Sequence, residues 1–295
     1  MAILKSGLGI FSGKLGGLRA WESNGKTIVA TVNRNAKNPK TEAQMKQRVK
    51  MNNILNIYKV LKPALQENFE GIAGNRNAAT FFRKYNLMQK PVWLTKRNAW
   101  DRAVVAPYIV SQGIITPIEY SMSSDGLASN IELDTQDITE STTVYDLAST
   151  ILMHNENWSA GDTLQVVAMR HSLKQDIPTS IFDIGMASVT FTLYKSDHQT
   201  LASIQEFNRL NEIGVTMVNH DGRLGIDICN RSEYVYALAL VHGRGTGIKR
   251  LLSTQNLVLS DTSIYDHYAS SEQMVEALKS YKTNMEPDAY LSPSK

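Results

Sequence analysis

The sequence predicts an α+β chain: a basic N-terminal arm, β-hairpin and short helices, followed by an antiparallel β-sandwich and a C-terminal helix. Three observations carry this. Charge divides by position: residues 1–105 hold 19 Lys/Arg against 5 Asp/Glu, a net of +14, while residues 106–295 hold 12 against 23, a net of −11. Helix-capping patterns and apolar stripes gather in the second quarter of the chain. Beyond Tyr108, short alternating runs separated by Asp/Asn/Ser/Gly clusters replace them, the mark of many antiparallel strands. The expected organisation is a glycine-rich basic arm and hairpin over 1–35, a basic helical region over 36–106, the β-sandwich over 107–262, and a C-terminal helix and tail over 263–295.

The arm comes first. Residues 1–17 carry five glycines (Gly7, Gly9, Gly13, Gly16, Gly17) with Lys5 and Lys14, too much backbone freedom for a stable helix. Leu18–Glu22 and Thr27–Val32 flank Ser23-Asn24-Gly25-Lys26. Asn-Gly between β-prone runs signals a hairpin, because both residues tolerate positive φ. Thr41-Glu42-Ala43-Gln44 reads as a capping box, and its helix is expected to run to about Leu61, where Lys62-Pro63 stops it. Met45, Val49, Ile54, Ile57, Tyr58 and Leu61 supply the apolar stripe. Further helical pieces are expected over Ala64–Phe69 and Ala78–Tyr85.

Ile115–Ile118, Asn130–Leu133, Thr163–Arg170, Ala187–Tyr194, Leu224–Cys229, Tyr234–His242 and Lys249–Leu259 then read as strands without interleaved helices. The last two look like one long hairpin. Ser270-Ser271-Glu272-Gln273 opens a final helix with Met274, Val275, Leu278 and Tyr281 on one face.

Several function classes are weak or missing in this pattern. Tyr234–Val241, the longest apolar run of the second half, is about eight residues against the ~20 that span a bilayer, so no membrane partner is expected. The first residues lack the pattern of a secretory signal. Cys229, the single cysteine, fits a reducing cytoplasm and reads as a buried small hydrophobe rather than a nucleophile. Gly9–Leu15 departs from a phosphate loop, because Leu15 stands where a Ser or Thr belongs and a hairpin follows instead of a helix. His154, His171, His198, His220, His242 and His267 are scattered without metal-ligand spacing. Gly243–Lys249 reads as a glycine turn between two strands; Arg244, Lys249 and Arg250 offer contacts for an anion there, with a solvated loop the favoured reading. No enzyme, cofactor, metal or small-molecule substrate is expected.

The basic half supports two readings. In the first, copies of the chain stack basic surface to acidic surface, as a heterologous interface requires. The residues expected to mediate that assembly are Lys5, Ile10, Phe11, Lys14, Leu15, Arg19, Lys46, Arg48 and Lys50. In the second, the half binds nucleic acid. Arg83, Lys84, Lys96 and Arg97 would meet phosphates, while Trp21, Phe81, Phe82, Tyr85, Trp93 and Trp100 stack on bases. Against stacking, the near-helical spacing of Phe81, Phe82, Tyr85 and Met88 favours core packing. Trp158 and several Tyr residues also raise the prospect of a sugar site.

Ser12-Gly13-Lys14-Leu15-Gly16, the hairpin, and Asn38-Pro39-Lys40-Thr41-Glu42-Ala43-Gln44 with Gln47-Arg48 together resemble an uncharacterised family. It occurs in Bacteroidota genomes and in phages and prophages, and its members open with the same glycine segment and helix start. The resemblance covers about the first 60 residues. It implies a bacteriophage context: an oligomeric structural component of the virion, in a tail or neck ring, assembled in the bacterial host cytoplasm beside other virion proteins. It implies no catalytic residue.

Overall fold

The computed structural model describes residues 2–4, 13–15, 17–23, 26–31, 41–72, 77–100, 102–123, 126–135, 137–173, 184–229 and 232–282. The chain divides into two compact units, Met1–Thr41 and Glu42–Lys295.

The first unit is a four-stranded antiparallel sheet of β1 (Ala2–Leu4), β2 (Gly13–Leu15), β3 (Leu18–Ser23) and β4 (Lys26–Thr31), in the order β1-β4-β3-β2. The hairpin of β3 and β4 closes at Ser23↔Lys26, and the Asn24-Gly25 turn expected there lies outside the described residues. A lone hairpin is marginal in water. Two pieces of the glycine-rich arm supply the missing edges, with Ala2 opposite Val29 and Lys14 opposite Arg19.

The second unit is α+β. It contains, in order, α1 (Glu42–Leu65), α2 (Ala78–Asn86), β5 (Ile109–Ser111), β6 (Tyr120–Met122), β7 (Gly126–Glu132) and α3 (Val144–His154). Then come β8 (Thr163–Ser172), β9 (Gly185–Thr192), α4 (Gln205–Glu212), β10 (Val215–His220), β11 (Arg223–Ile228) and β12 (Tyr234–Arg244). β13 (Leu251–Leu252), β14 (Gln255–Asn256), β15 (Val258–Leu259), α5 (Ser263–Ala269) and α6 (Ser271–Lys282) complete it. One sheet runs β13-β12-β8-β9, with β15 also on β12. A second runs β10-β11-β7-β6, and β14 pairs with β5.

Alternation along β8 and β12 explains the layering. Leu164, Val166 and Ala168, with Tyr236, Leu238 and Leu240, share a core with the second sheet, α3 and α4. Val167, Met169, Val235, Ala237 and Ala239 point the other way, into a core with α1, α2 and residues 92–110. The central sheet is therefore buried on both faces. This differs from a sandwich whose outer faces meet water, because a helical layer covers one of them. The segments expected as separate regions over 36–106, 107–262 and 263–295 contribute to these shared cores.

Other expectations change for local reasons. α1 continues through Pro63 to Leu65. The proline removes one backbone hydrogen bond, but Ala64 and Leu65 are buried and Gln165 donates to the Ala64 carbonyl. α3 and α4 interrupt the run of strands. α3 has a full capping box between Thr143 and Asp146. The long final hairpin is broken, since residues 255–256 leave β12 to pair with β5. Ile115–Ile118 is no strand; only Ile115 bridges, to Ser253. Cys229 is exposed, not buried. Ile228 points inward at the end of β11, so its neighbour turns out, and the thiol faces the Gly214 carbonyl. Asp221 and Gly222 both have positive φ, the turn that joins β10 to β11.

The described residues of 91–108 contain no helix or strand and are held by buried asparagines of α1, while one of α2 holds the residue that follows, Ile109. Asn53 accepts from the Val104 N–H and donates to the Tyr108 hydroxyl. Asn56 donates to the carbonyls of Ala99 and Arg102. Asn86 donates to the Ile109 carbonyl and accepts from its N–H, the pair of bonds a neighbouring strand would make.

Candidate functional site

The densest polar chemistry inside the fold lies where β12 ends and β8 begins. His242 and Arg244 are two residues apart on β12 and project to the same side. The turn before β8 carries Asp162 to meet them. Asp162 Oδ2 lies 2.8 Å from His242 Nε2 and accepts from Arg244 Nη2 at 2.7 Å, while Oδ1 accepts from Arg244 Nε at 2.8 Å. The Ser159 N–H also donates to Asp162 Oδ2, closing the turn on itself. Arg244 Nη2 reaches on to the Asn157 carbonyl. Trp158 stacks on the imidazole with ring centroids 3.7 Å apart and planes at 12°.

Burial and charge decide the protonation states. Asp162 and His242 are each 2% exposed. Burial pushes the Asp162 carboxyl up, but hydrogen bonds from Arg244, His242 and Ser159 outweigh it and hold the pKa below the ordinary carboxylate value. Burial likewise pushes His242 down, against the pull of Asp162. The consistent state is a carboxylate neutralised by one guanidinium, with a neutral imidazole donating its Nε2–H to Oδ2. Such a pair resembles an oriented general base. Among the described residues, however, no hydroxyl or thiol is hydrogen-bonded to the imidazole of His242, so nothing stands as a nucleophile.

A cleft of about 240 Å³ opens over this cluster. Trp158 and His242 line it together with Ile115–Ile118, Asn130–Glu132 and His154–Asn157. Asn155 is committed to structure, donating to the Glu132 carbonyl and accepting from its N–H. One face of Trp158 is spent on His242 and only 9% of the residue is exposed, which leaves little platform for a sugar. Among the described residues no group of three His, Cys, Asp or Glu is arranged to hold a metal ion, and no described helix is long and apolar enough to cross a membrane.

The sequence missed this cluster. Its signal was a histidine and an arginine at alternate positions closing an otherwise apolar strand. The glycine turn after it is solvated over Gly245–Lys249, as expected, but the arginines at its two ends are not free: Arg244 is bound to Asp162 and Arg250 to Glu67 and Thr163.

The basic residues singled out in the sequence occupy both units. Lys5, Ile10 and Phe11 lie outside the described residues. Lys14 and Leu15 lie in β2, and Arg19 sits over the Trp21 ring at 5.9 Å. In the second unit, Lys46 pairs with Glu42 at 2.9 Å, Arg48 is exposed on α1, and Lys50 lies over Trp93 at 5.3 Å. Arg83 donates to the Ala79 carbonyl, Lys84 lies over Tyr85, and Lys96 and Arg97 are exposed.

The interleaved aromatics pack. Phe82 and Trp93 are buried, Phe69, Phe81 and Tyr85 stack on one another, and Phe82 also meets Tyr58 and Tyr108. Of the six aromatics named for base stacking, only Trp100 is largely exposed, at 72%. Compared with known protein families, curated proteins and solved structures, the chain matches none.

Proposed function

We propose that the chain is a structural subunit that assembles with copies of itself and with other proteins. In the setting its family resemblance implies, that assembly is a phage particle, in a tail or neck ring. The observation that carries this reading is the separateness of the first unit. It holds seven Lys/Arg against a single acid, Glu22, and none of its described residues belongs to the three apolar cores. A small basic sheet that the body does not need for its own core is suited to bind a neighbour's acidic surface. The polar cluster at His242 supports the same reading, since its hydrogen bonds close a turn and a strand end.

Size-exclusion chromatography with light scattering tests this. The full chain is expected to form a discrete oligomer at low salt. Its mass should fall toward that of one chain as salt approaches about 1 M, where charges are screened beyond ~3 Å. A single-chain mass at every salt concentration, with DNA retained on the protein, would replace assembly by nucleic-acid binding through Arg97 and the exposed basic face of α1.

A further inference from the structure

Among the described residues, the central sheet ends in a strand with nothing beside it. β9 is its outer member. Among the described residues, no backbone group of Met186–Thr190 is paired on the side away from β8. Natural edges are normally guarded by a charge, a proline or a bulge. Met186-Ala187-Ser188-Val189-Thr190 carries no charge and no proline, and its register with β8 is regular from Thr163↔Thr192 to Arg170↔Gly185.

A groove of about 520 Å³ runs along this edge. Residues 186–190 form its floor, Pro63 of α1 stands at one wall, and Ile204, Glu206 and Arg209 at and within α4 form the other. α1 belongs to the core on one face of the sheet, and Phe207 and Leu210 of α4 to the core on the opposite face. The bare edge therefore lies between two walls that stand on opposite faces of the sheet. That leaves room for one added strand rather than for the layers of a second molecule. Five extended residues span ~17 Å, and the volume falls within the ~300–1,000 Å³ of ordinary binding sites. Glu206 and Arg209 are exposed, one helical turn apart, and their side chains have no hydrogen-bond or ion-pair partner among the described residues.

We propose that the β9 edge is a docking site for an extended peptide segment of another protein, which adds to the sheet as a further strand. Backbone N–H and C=O groups supply the affinity, as in other strand additions. The side chains facing α4 supply the selectivity: an acid against Arg209 and a base against Glu206. This inference does not depend on the assembly proposed above, because it concerns a surface of the second unit and a peptide rather than a copy of the chain.

The probe is a phage-displayed library of random heptapeptides panned on the full-length protein, with the selected peptides then synthesised. Enriched peptides are expected to slow amide hydrogen exchange at residues 186–190. Arg209→Glu, an exposed change checked by its melting curve, is expected to weaken binding by roughly fivefold. A peptide whose acid is changed to lysine should recover that loss. Selection of no peptide above background, or of peptides that protect another surface, overturns the proposal. So does protection of β9 that grows with protein concentration alone alongside a doubling of mass, because a second copy would then be the occupant.

Discussion

Individual buried polar side chains decide much of this structure, and they were the least legible in the sequence. Asn53 and Asn56 of α1 bind the irregular segment 91–108, and Asn86 of α2 binds Ile109 at the start of β5. An amide's partner cannot be inferred from its neighbours in sequence, since these partners are 23 to 55 residues away. His171 makes a measurable case. It is 1% exposed, and neither ring nitrogen has a hydrogen bond of ordinary geometry, although a backbone group of Ala103 faces it. Burial lowers its pKa to about 4. The folded state therefore holds fewer protons than the unfolded state between pH ~6.5 and ~4. Stability is complete above that window and declines as pH falls through it, by up to about 3 kcal/mol from this residue. Urea midpoints of the native chain should drop between pH 7 and 4.5 more than those of a His171→Phe variant. Parallel pH curves for the two would show that the ring is protonated inside the fold.

At the scale of elements, local chemistry was readable wherever it was self-contained. The β-prone runs flanking Asn24-Gly25 paired as the β3–β4 hairpin, the Ala78 helix formed, and the apolar run Tyr234–Val241 became the central strand β12. Failures came where distant packing overrode a local rule. Pro63 should end a helix, but the buried Leu65 carries α1 past it. α3 falls inside the stretch expected to hold strands alone, although Thr143 and Asp146 form a capping box. That box is real by geometry: Thr143 Oγ1 accepts from the Asp146 N–H at 3.1 Å, and Asp146 Oδ2 accepts from the Thr143 N–H at 3.0 Å. Thr143→Ala should lower unfolding stability by about 1 kcal/mol, read from the shift in urea midpoint at constant slope. No shift would mean that burial of Val144, Leu147 and Ile151 alone fixes the helix start.

The whole molecule is two units of unlike size and charge, and the sequence showed the charge division without its true boundary. Basic excess extends to residue 105, yet the structural division falls after Thr41. Lysines on α1 belong to the larger unit because Met45, Val49, Ile54 and Ile57 are buried in it. Removing residues 2–41 should leave the melting temperature of the remainder within a few degrees of the full chain's upper transition, as measured by circular dichroism. Loss of cooperative melting would show that the cores at residues 49–277 depend on the first unit.

The doubly buried central sheet also sets an order in time. Ile54, Ile57, Leu61 and Phe82 share a core with Val235, Ala237 and Ala239, which leave the ribosome roughly 150 residues after α2 ends, a wait of about 7–30 s at usual synthesis rates. During that interval the apolar face of α1 and α2 has no sheet to cover it. The nascent chain is then sticky at its middle, and this stage rather than the finished fold is where a holding chaperone, or a slower codon, would change the yield of native protein.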